Sequence, residues 1–215
     1  MHRRWLVTER NANTLSVVSA FPAEPYLSEE EYFMLETESP FRHEYFGGRM
    51  YAMAGGSAPH NRIEQNLAGL LVNQLYGRRC ESFGPNMKLK LPPRAARDSD
   101  YCYPDGMICC DPQDGGEFRG HSWRAKPSAL FEVLSASTRS LDEGEKRTDY
   151  LALPSLEFYV RIEQTRPEVV VERRTETGWE IERVSGLDAT VSLPTLDIQI
   201  PLTRLYDRVG FAPQS

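Results

Sequence analysis

The chain has no apolar run near the roughly 18 residues that a spanning helix requires, and Trp5-Leu6-Val7, although preceded by Arg3 and Arg4, is too short for the apolar core of a signal peptide. These absences point to a cytoplasmic protein with no membrane partner. Its four cysteines, Cys80, Cys102, Cys109 and Cys110, form no CxxC pair and no spacing with histidine that suits zinc, so reduced and partly buried thiols are expected. No internal repeat or low-complexity tract is visible. An excess of positive charge is missing as well. A formal net charge of −6 argues against a surface coated throughout with DNA-binding lysine and arginine. It leaves room for a local basic strip, for which Lys88, Lys90, Arg94, Arg97, Lys126, Arg139, Lys146 and Arg147 are available. Ser135 lacks the flanking glycines of a nucleophile elbow, which excludes a serine hydrolase of that type.

What is present suffices for one sizeable domain. With 215 residues, 40% of them apolar, the chain can remove about 70% of its unfolded surface from water. Residues 1–25, with two prolines and no sustained period, read as an N-terminal extension, and 26–210 as a single domain. Ser28 followed by Glu31 has the spacing of a capping box and predicts a short helix carrying Tyr32, Phe33 and Leu35. Gly47-Gly48 predicts a hairpin turn between two short strands. Ser57 and Pro59 then open a helix in which Ile63, Leu67, Leu70, Leu71 and Leu75 recur at helical spacing.

The strict alternation of Met87-Lys88-Leu89-Lys90-Leu91 predicts a half-solvated strand with both lysines facing water. Tyr103 to Cys110 and Ala129 to Leu134 read as two further strands, separated by a polar loop region containing Trp123. A helix is expected from Thr138 to about Leu153, where Pro154 stops it. Four strand segments then follow as a β-meander, at Phe158 to Ile162, Val169 to Val171, Trp179 to Val184 and Thr190 to Leu193. A short helical turn from Leu202 to Tyr206 ends the chain's pattern.

Asp105 and Glu132 are each an acid inside an otherwise apolar strand. An ionised carboxylate taken from water without compensation costs several kcal/mol, so each should face a metal, a basic partner or a wet cleft. Two carboxylates on neighbouring strands suit Mg²⁺, which prefers oxygen donors and keeps several waters. The competing interpretation is a pair of acids on an edge strand that face solvent.

These residues also carry a resemblance. Tyr103-Pro104-Asp105, Phe131-Glu132-Val133-Leu134-Ser135 with Ser137-Thr138, Asp142, Gly144-Glu145-Lys146, Tyr150 and Pro154-Ser155-Leu156-Glu157 together resemble the Uma2 family (DUF820), a branch of the PD-(D/E)XK restriction-endonuclease-like superfamily. The similarity runs from about Leu27 to Tyr206 and includes Glu44, Gly48 and His60. It implies an α/β (α+β) fold with a mixed central sheet flanked by helices. It also implies a metal-dependent endonuclease using Mg²⁺ or Mn²⁺ on nucleic acid, DNA above all; a homodimer is expected because an enzyme cutting both strands often pairs two sites and the C-terminal meander offers strand edges.

Asp105, Glu132 and the backbone carbonyl of Val133 are the metal ligands that the resemblance implies. The chain departs from the superfamily where a lysine should follow: Leu134 stands there. Lys146, one helix later, is the replacement expected, on a helix face shared with Asp142, Asp149 and Tyr150. Its plain alternative is a solvated pairing with Asp142 or Asp149. His60, Glu44, Asp142 and Tyr150 are accessory candidates. A nuclease-fold module that binds nucleic acid or protein without turnover is the alternative function.

Overall fold

The computed structural model describes residues 26–53, 55–93, 98–135 and 144–211. The N-terminal extension and Asp142 lie outside these residues. So do Arg94, Arg97 and Arg139 of the basic set, and the expected helix start at Thr138.

The first helix, α1 (Glu29–Glu38), starts as its sequence requires. Ser28 and Glu31 exchange reciprocal bonds in a capping box, satisfying two orphan donors at the helix end. Strands β1 (His43–Phe46) and β2 (Arg49–Ala52) follow as a hairpin. Its turn glycines have φ of 56° and 79°, a region costly for other residues. A Cβ at Gly48 would also lie 2.2 Å from the Tyr26 ring.

Helix α2 (Ala58–Leu75) is capped by Ser57 and buries Ile63, Leu67, Leu71 and Leu75, four of the five residues expected on its apolar face. Strands β3 (Glu81–Phe83), β4 (Lys88–Leu91), β5 (Asp100–Cys102), β6 (Gly106–Cys109), β7 (Gly116–Phe118), β8 (His121–Arg124) and β9 (Pro127–Leu134) come next. The remaining elements are helix α3 (Glu145–Ala152), the meander β10 (Phe158–Glu163), β11 (Glu168–Thr175) and β12 (Gly178–Ser185), the hairpin β13 (Thr190–Leu193) and β14 (Ile198–Pro201), and helix α4 (Leu202–Leu205).

Among the described residues the strands form two six-stranded sheets and one hairpin. The central sheet has the order β12-β11-β10-β9-β6-β3 and is mixed: β9 runs parallel to β10 and antiparallel to β6. The second sheet has the order β2-β1-β5-β4-β8-β7. All eight residues of β9 are buried, as befits a strand covered on both faces. Ala129, Phe131 and Val133 pack in the cluster that holds the apolar residues of α2, whereas Leu130 packs with Leu89, Cys102, Tyr150 and Leu153. The central sheet is thus sandwiched between α2 on one side and α3 with the second sheet on the other.

Five expectations need correction. Tyr103 to Cys110 is not one strand, because the chain leaves the second sheet after Cys102 and enters the central sheet at Gly106. Pro104, with no N–H to give to either ladder, sits at the crossing. The polar stretch around Trp123 forms β7 and β8, and Thr190 to Leu193 pairs with β14 instead of extending the meander. Lys88 does not face water: it is 3% exposed, with Nζ 3.4 Å from Glu36 Oε1. Finally, Cys80 and Cys110 form a disulfide, leaving only Cys102 and Cys109 as buried thiols.

Two stability experiments follow from this packing. Leu67, 1% exposed against the central sheet, should lose about 2–5 kcal/mol on substitution by alanine, read as a lower midpoint in urea. Glu36 is held below the ordinary 4.5: burial opposes ionisation, but bonds from Tyr103 and His43 and the nearby Lys88 outweigh it. A depressed carboxylate pKa contributes stability above the unfolded value that is lost as pH falls through the folded one. Thermal melts of the wild type should therefore decline as pH drops below about 4.5. In Glu36→Gln the melting temperature should start lower and show a shallower acid limb.

Candidate functional site

Asp105 ends the crossing segment between the sheets. Gly106 pairs with Phe131 in the antiparallel β6–β9 ladder, so Asp105 stands beside Glu132 one step further along. Its Oδ2 accepts the Val133 N–H at 2.6 Å. In a hydrogen-bonded antiparallel pair a residue directs both its N–H and its C=O to the same neighbour. The Val133 carbonyl accordingly faces the Asp105 side too.

The other oxygen of Asp105 faces α2. His60 Nε2 lies 3.3 Å from Asp105 Oδ1 and 3.9 Å from Glu64 Oε1. His60 is in the first turn of the helix, its backbone N–H bonded to Ser57 Oγ, and Glu64 follows one turn later on the same face. One ligand atom from each of His60, Glu64 and Asp105 lies within 4.8 Å of the others. Glu64 was not anticipated, although its i,i+4 spacing from His60 was the available signal.

Glu132 looks to the opposite face of the sheet. Tyr150 Oη donates to its Oε1 at 2.9 Å, and Lys146 Nζ lies 3.5 Å from the same oxygen. Lys146 Nζ also sits 2.9 Å from Glu44 Oε1, which accepts the Tyr103 N–H as well. Three elements therefore converge: Glu44 comes from β1, Glu132 from β9, and Lys146 and Tyr150 from successive turns of α3 on the face that meets the sheets.

Lys146 is 5% exposed, so a solvated surface lysine does not describe it. Burial, with Cys102 and Glu132 close by, holds the Tyr150 phenol well above its ordinary pKa and keeps it a donor. Burial likewise pushes the Cys102 thiol well up, against the pull of Lys146, which makes it a poor nucleophile. Cys102 Sγ is 3.3 Å from Tyr150 Oη and packs beneath the cluster.

Glu132, the expected second ligand, is not among the three residues whose ligand atoms gather around Asp105. Glu44 and Tyr150 do join Glu132 and Lys146. Across the two faces, Glu44, Glu64, Asp105 and Glu132 bring carboxylates close together beside Lys146 and His60, and carboxylates gathered in this way suit a cation. The donors fit one: carboxylate oxygens and a strand-edge carbonyl suit Mg²⁺ or Mn²⁺, and the imidazole nitrogen shifts the balance toward Mn²⁺.

The central mixed sheet, covered by α2 and α3 and carrying acids at the end of neighbouring strands, has the architecture of a restriction-endonuclease-like fold. A crystal structure of "a putative nuclease belonging to DUF820" from Anabaena variabilis superposes with a TM-score of 0.65, covering 84% of this chain and 97% of that one at 15% identity. The model of the Uma2 family, described as "Putative restriction endonuclease", matches residues 29–203. The chain belongs to the Uma2 family. Among its relatives are two proteins of Synechocystis sp., both called uncharacterized. The protein slr1290 is 31% identical over 87% of this chain and 95% of its own length, and sll1609 is 33% identical over 64% and 75%.

Lys146 is bound into the fold as well as into the site. Lys146→Met leaves two buried carboxylates facing each other and should lose about 3–5 kcal/mol. Combining it with Glu44→Gln relieves that repulsion. Urea unfolding should place the double variant above Lys146→Met alone; simple addition of the two single losses would show that the ammonium and Glu44 are not coupled.

Proposed function

We propose that this protein is a divalent-metal-dependent endonuclease that hydrolyses phosphodiester bonds of nucleic acid, with DNA as its substrate. The observation that carries the reading is the position of Lys146. In the superfamily pattern a lysine follows the acid on the same strand; here buried Leu134 stands two residues beyond Glu132 on β9, on the same face by strand alternation, and α3 delivers an ammonium to that face instead. The lysine is displaced in sequence while its charge is kept beside the acid.

Asp105, His60 and Glu64, with the Val133 carbonyl, are the residues proposed to hold the metal, and Glu132 completes the acidic site from the neighbouring strand. When bound, a divalent ion would neutralise phosphate charge and make water more acidic. The chain's own groups do the rest. Lys146 sets a positive charge where negative charge grows on the phosphoryl oxygens as water attacks phosphorus and the bond to the leaving oxygen breaks. Glu44 and Glu132 hold that ammonium in place, and Tyr150 fixes the Glu132 carboxylate. Asp105 and Glu64 hold the His60 ring in place. A homodimer addressing two strands belongs to the same reading, with β12 as the open edge of the central sheet available for pairing.

The non-catalytic alternative draws on the same Leu134, and one experiment separates the two. Purified protein is incubated with single- and double-stranded DNA and RNA, with Mg²⁺, with Mn²⁺ and with chelator. Cleavage of DNA is expected with either metal and with Mn²⁺ more strongly. Asp105→Asn and Glu132→Gln should each lower it by about a hundredfold or more. Unchanged cleavage in either variant would remove that residue from the mechanism, and no cleavage by the wild type under any condition would favour the binding module. Calorimetry provides a second check: His60→Ala should weaken Mn²⁺ binding by at least the roughly 10- to 100-fold that losing even an outer-shell partner costs.

A further inference from the structure

A cavity of about 550 Å³ opens beside the acidic site, lined by Glu36, Phe41, Arg42, Lys88, Tyr103 and His121 among others. Its size is that of a small-ligand pocket. Tyr103 forms the partition. Its N–H donates to Glu44 in the acidic site at 3.2 Å, its hydroxyl donates to Glu36 in the cavity at 2.9 Å, and it lies two residues before Asp105. A polymer passing through the acidic site has this cavity as its neighbour.

The lining is chemically specific. Glu36, the one acid in it, is fully engaged: it accepts the His43 N–H and Nδ1 and the Tyr103 hydroxyl, and it faces buried Lys88. Lys88 donates to His121 Nδ1 at 3.1 Å, which requires that nitrogen to be unprotonated. Burial and the Lys88 charge both lower the His121 pKa and keep the ring neutral. Arg42 then supplies uncompensated positive charge. Its Nη1 is held by the neutral oxygens of Pro85 and Asn86 at 2.5 and 2.6 Å, it has no carboxylate partner among the described residues, and it lies 5.4 Å from the Tyr103 ring centroid. Next to it Phe41 is 70% exposed. A bare aromatic ring beside a fixed guanidinium offers a stacking surface for a base and a charge for its phosphate.

We propose that this cavity binds one unstacked nucleotide of the substrate strand next to the bond that is cut, with Phe41 under the base and Arg42 on the phosphate. The inference rests on the nuclease reading for its substrate, but it is tested by binding alone. A fluorescently labelled single-stranded oligonucleotide is titrated with wild type, Phe41→Ala and Arg42→Ala in chelator, with melting temperatures checking that both exposed-residue variants are folded. Each substitution should weaken binding by about tenfold or more, and Arg42→Ala should also reduce the slope of log affinity against log salt by about 0.7.

Affinities within twofold of wild type for both variants would overturn the proposal. So would a wild type that binds a nucleoside monophosphate while ignoring the oligonucleotide, since the cavity would then serve free nucleotides. Inorganic phosphate is the remaining arm: competition by phosphate as strong as by the nucleoside monophosphate would remove the base from recognition and overturn the stacking role of Phe41. Oligonucleotide binding that depends on Phe41 and Arg42 in a protein that cuts nothing would sustain this inference and sink the nuclease reading. Cleavage of short substrates with unchanged KM in both variants would do the reverse.

Discussion

One buried ammonium ties the molecule together. Lys146 meets Glu44 at 2.9 Å and Glu132 at 3.5 Å, so α3, the first hairpin and the central sheet come together at these three charges. Burying such a set is weak evidence of stabilisation, because desolvation offsets much of the attraction. Hydrophobic side chains of similar volume would hold the same elements at least as well.

The surroundings keep Lys146 from drifting. Its neighbour Arg147 is bonded to Glu172, which is wholly buried and also accepts from Arg161. This pins α3 across β10 and β11. Burial keeps the Tyr150 proton on its oxygen, so the contact with Glu132 persists at any ordinary pH. On the other face of β9, Asp105 is fixed by the Val133 amide, with His60 and Glu64 beside it. A single strand end thus separates the His60, Glu64 and Asp105 cluster from Lys146.

Much of this was legible in the sequence where local physics decides. The capping box at Ser28 and the apolar stripe of α2 are local patterns, and both elements formed as their spacing required. Glu132 in an apolar strand declared itself because an acid there demands a partner. Other features depend on contacts between distant segments. Nothing local distinguishes Lys88 from Lys90, yet Glu36 on α1 draws the first inside. Tyr103 to Cys110 looks like one apolar strand because both halves are buried, each in a different sheet. Residues of β7 and β8 gain their order from pairing with each other and with β4. The Cys80–Cys110 disulfide joins residues 30 apart, a proximity created by the β3–β6 pairing. Glu64 was visible in principle, one turn beyond His60, but only the meeting of α2 with Asp105 gives that spacing a meaning.

The Uma2 match and the likeness to the Anabaena variabilis structure fix the fold, and the proposed chemistry turns on a lysine that reaches the Glu132 strand from a helix. Returning that lysine to the strand tests the claim most directly. Lys146→Met should lose metal-dependent DNA cleavage, and adding Leu134→Lys, which restores an ammonium to the Glu132 face of β9, should raise cleavage at least about tenfold above the single variant. Cleavage by a folded Lys146→Met protein at the wild-type rate would contradict the account.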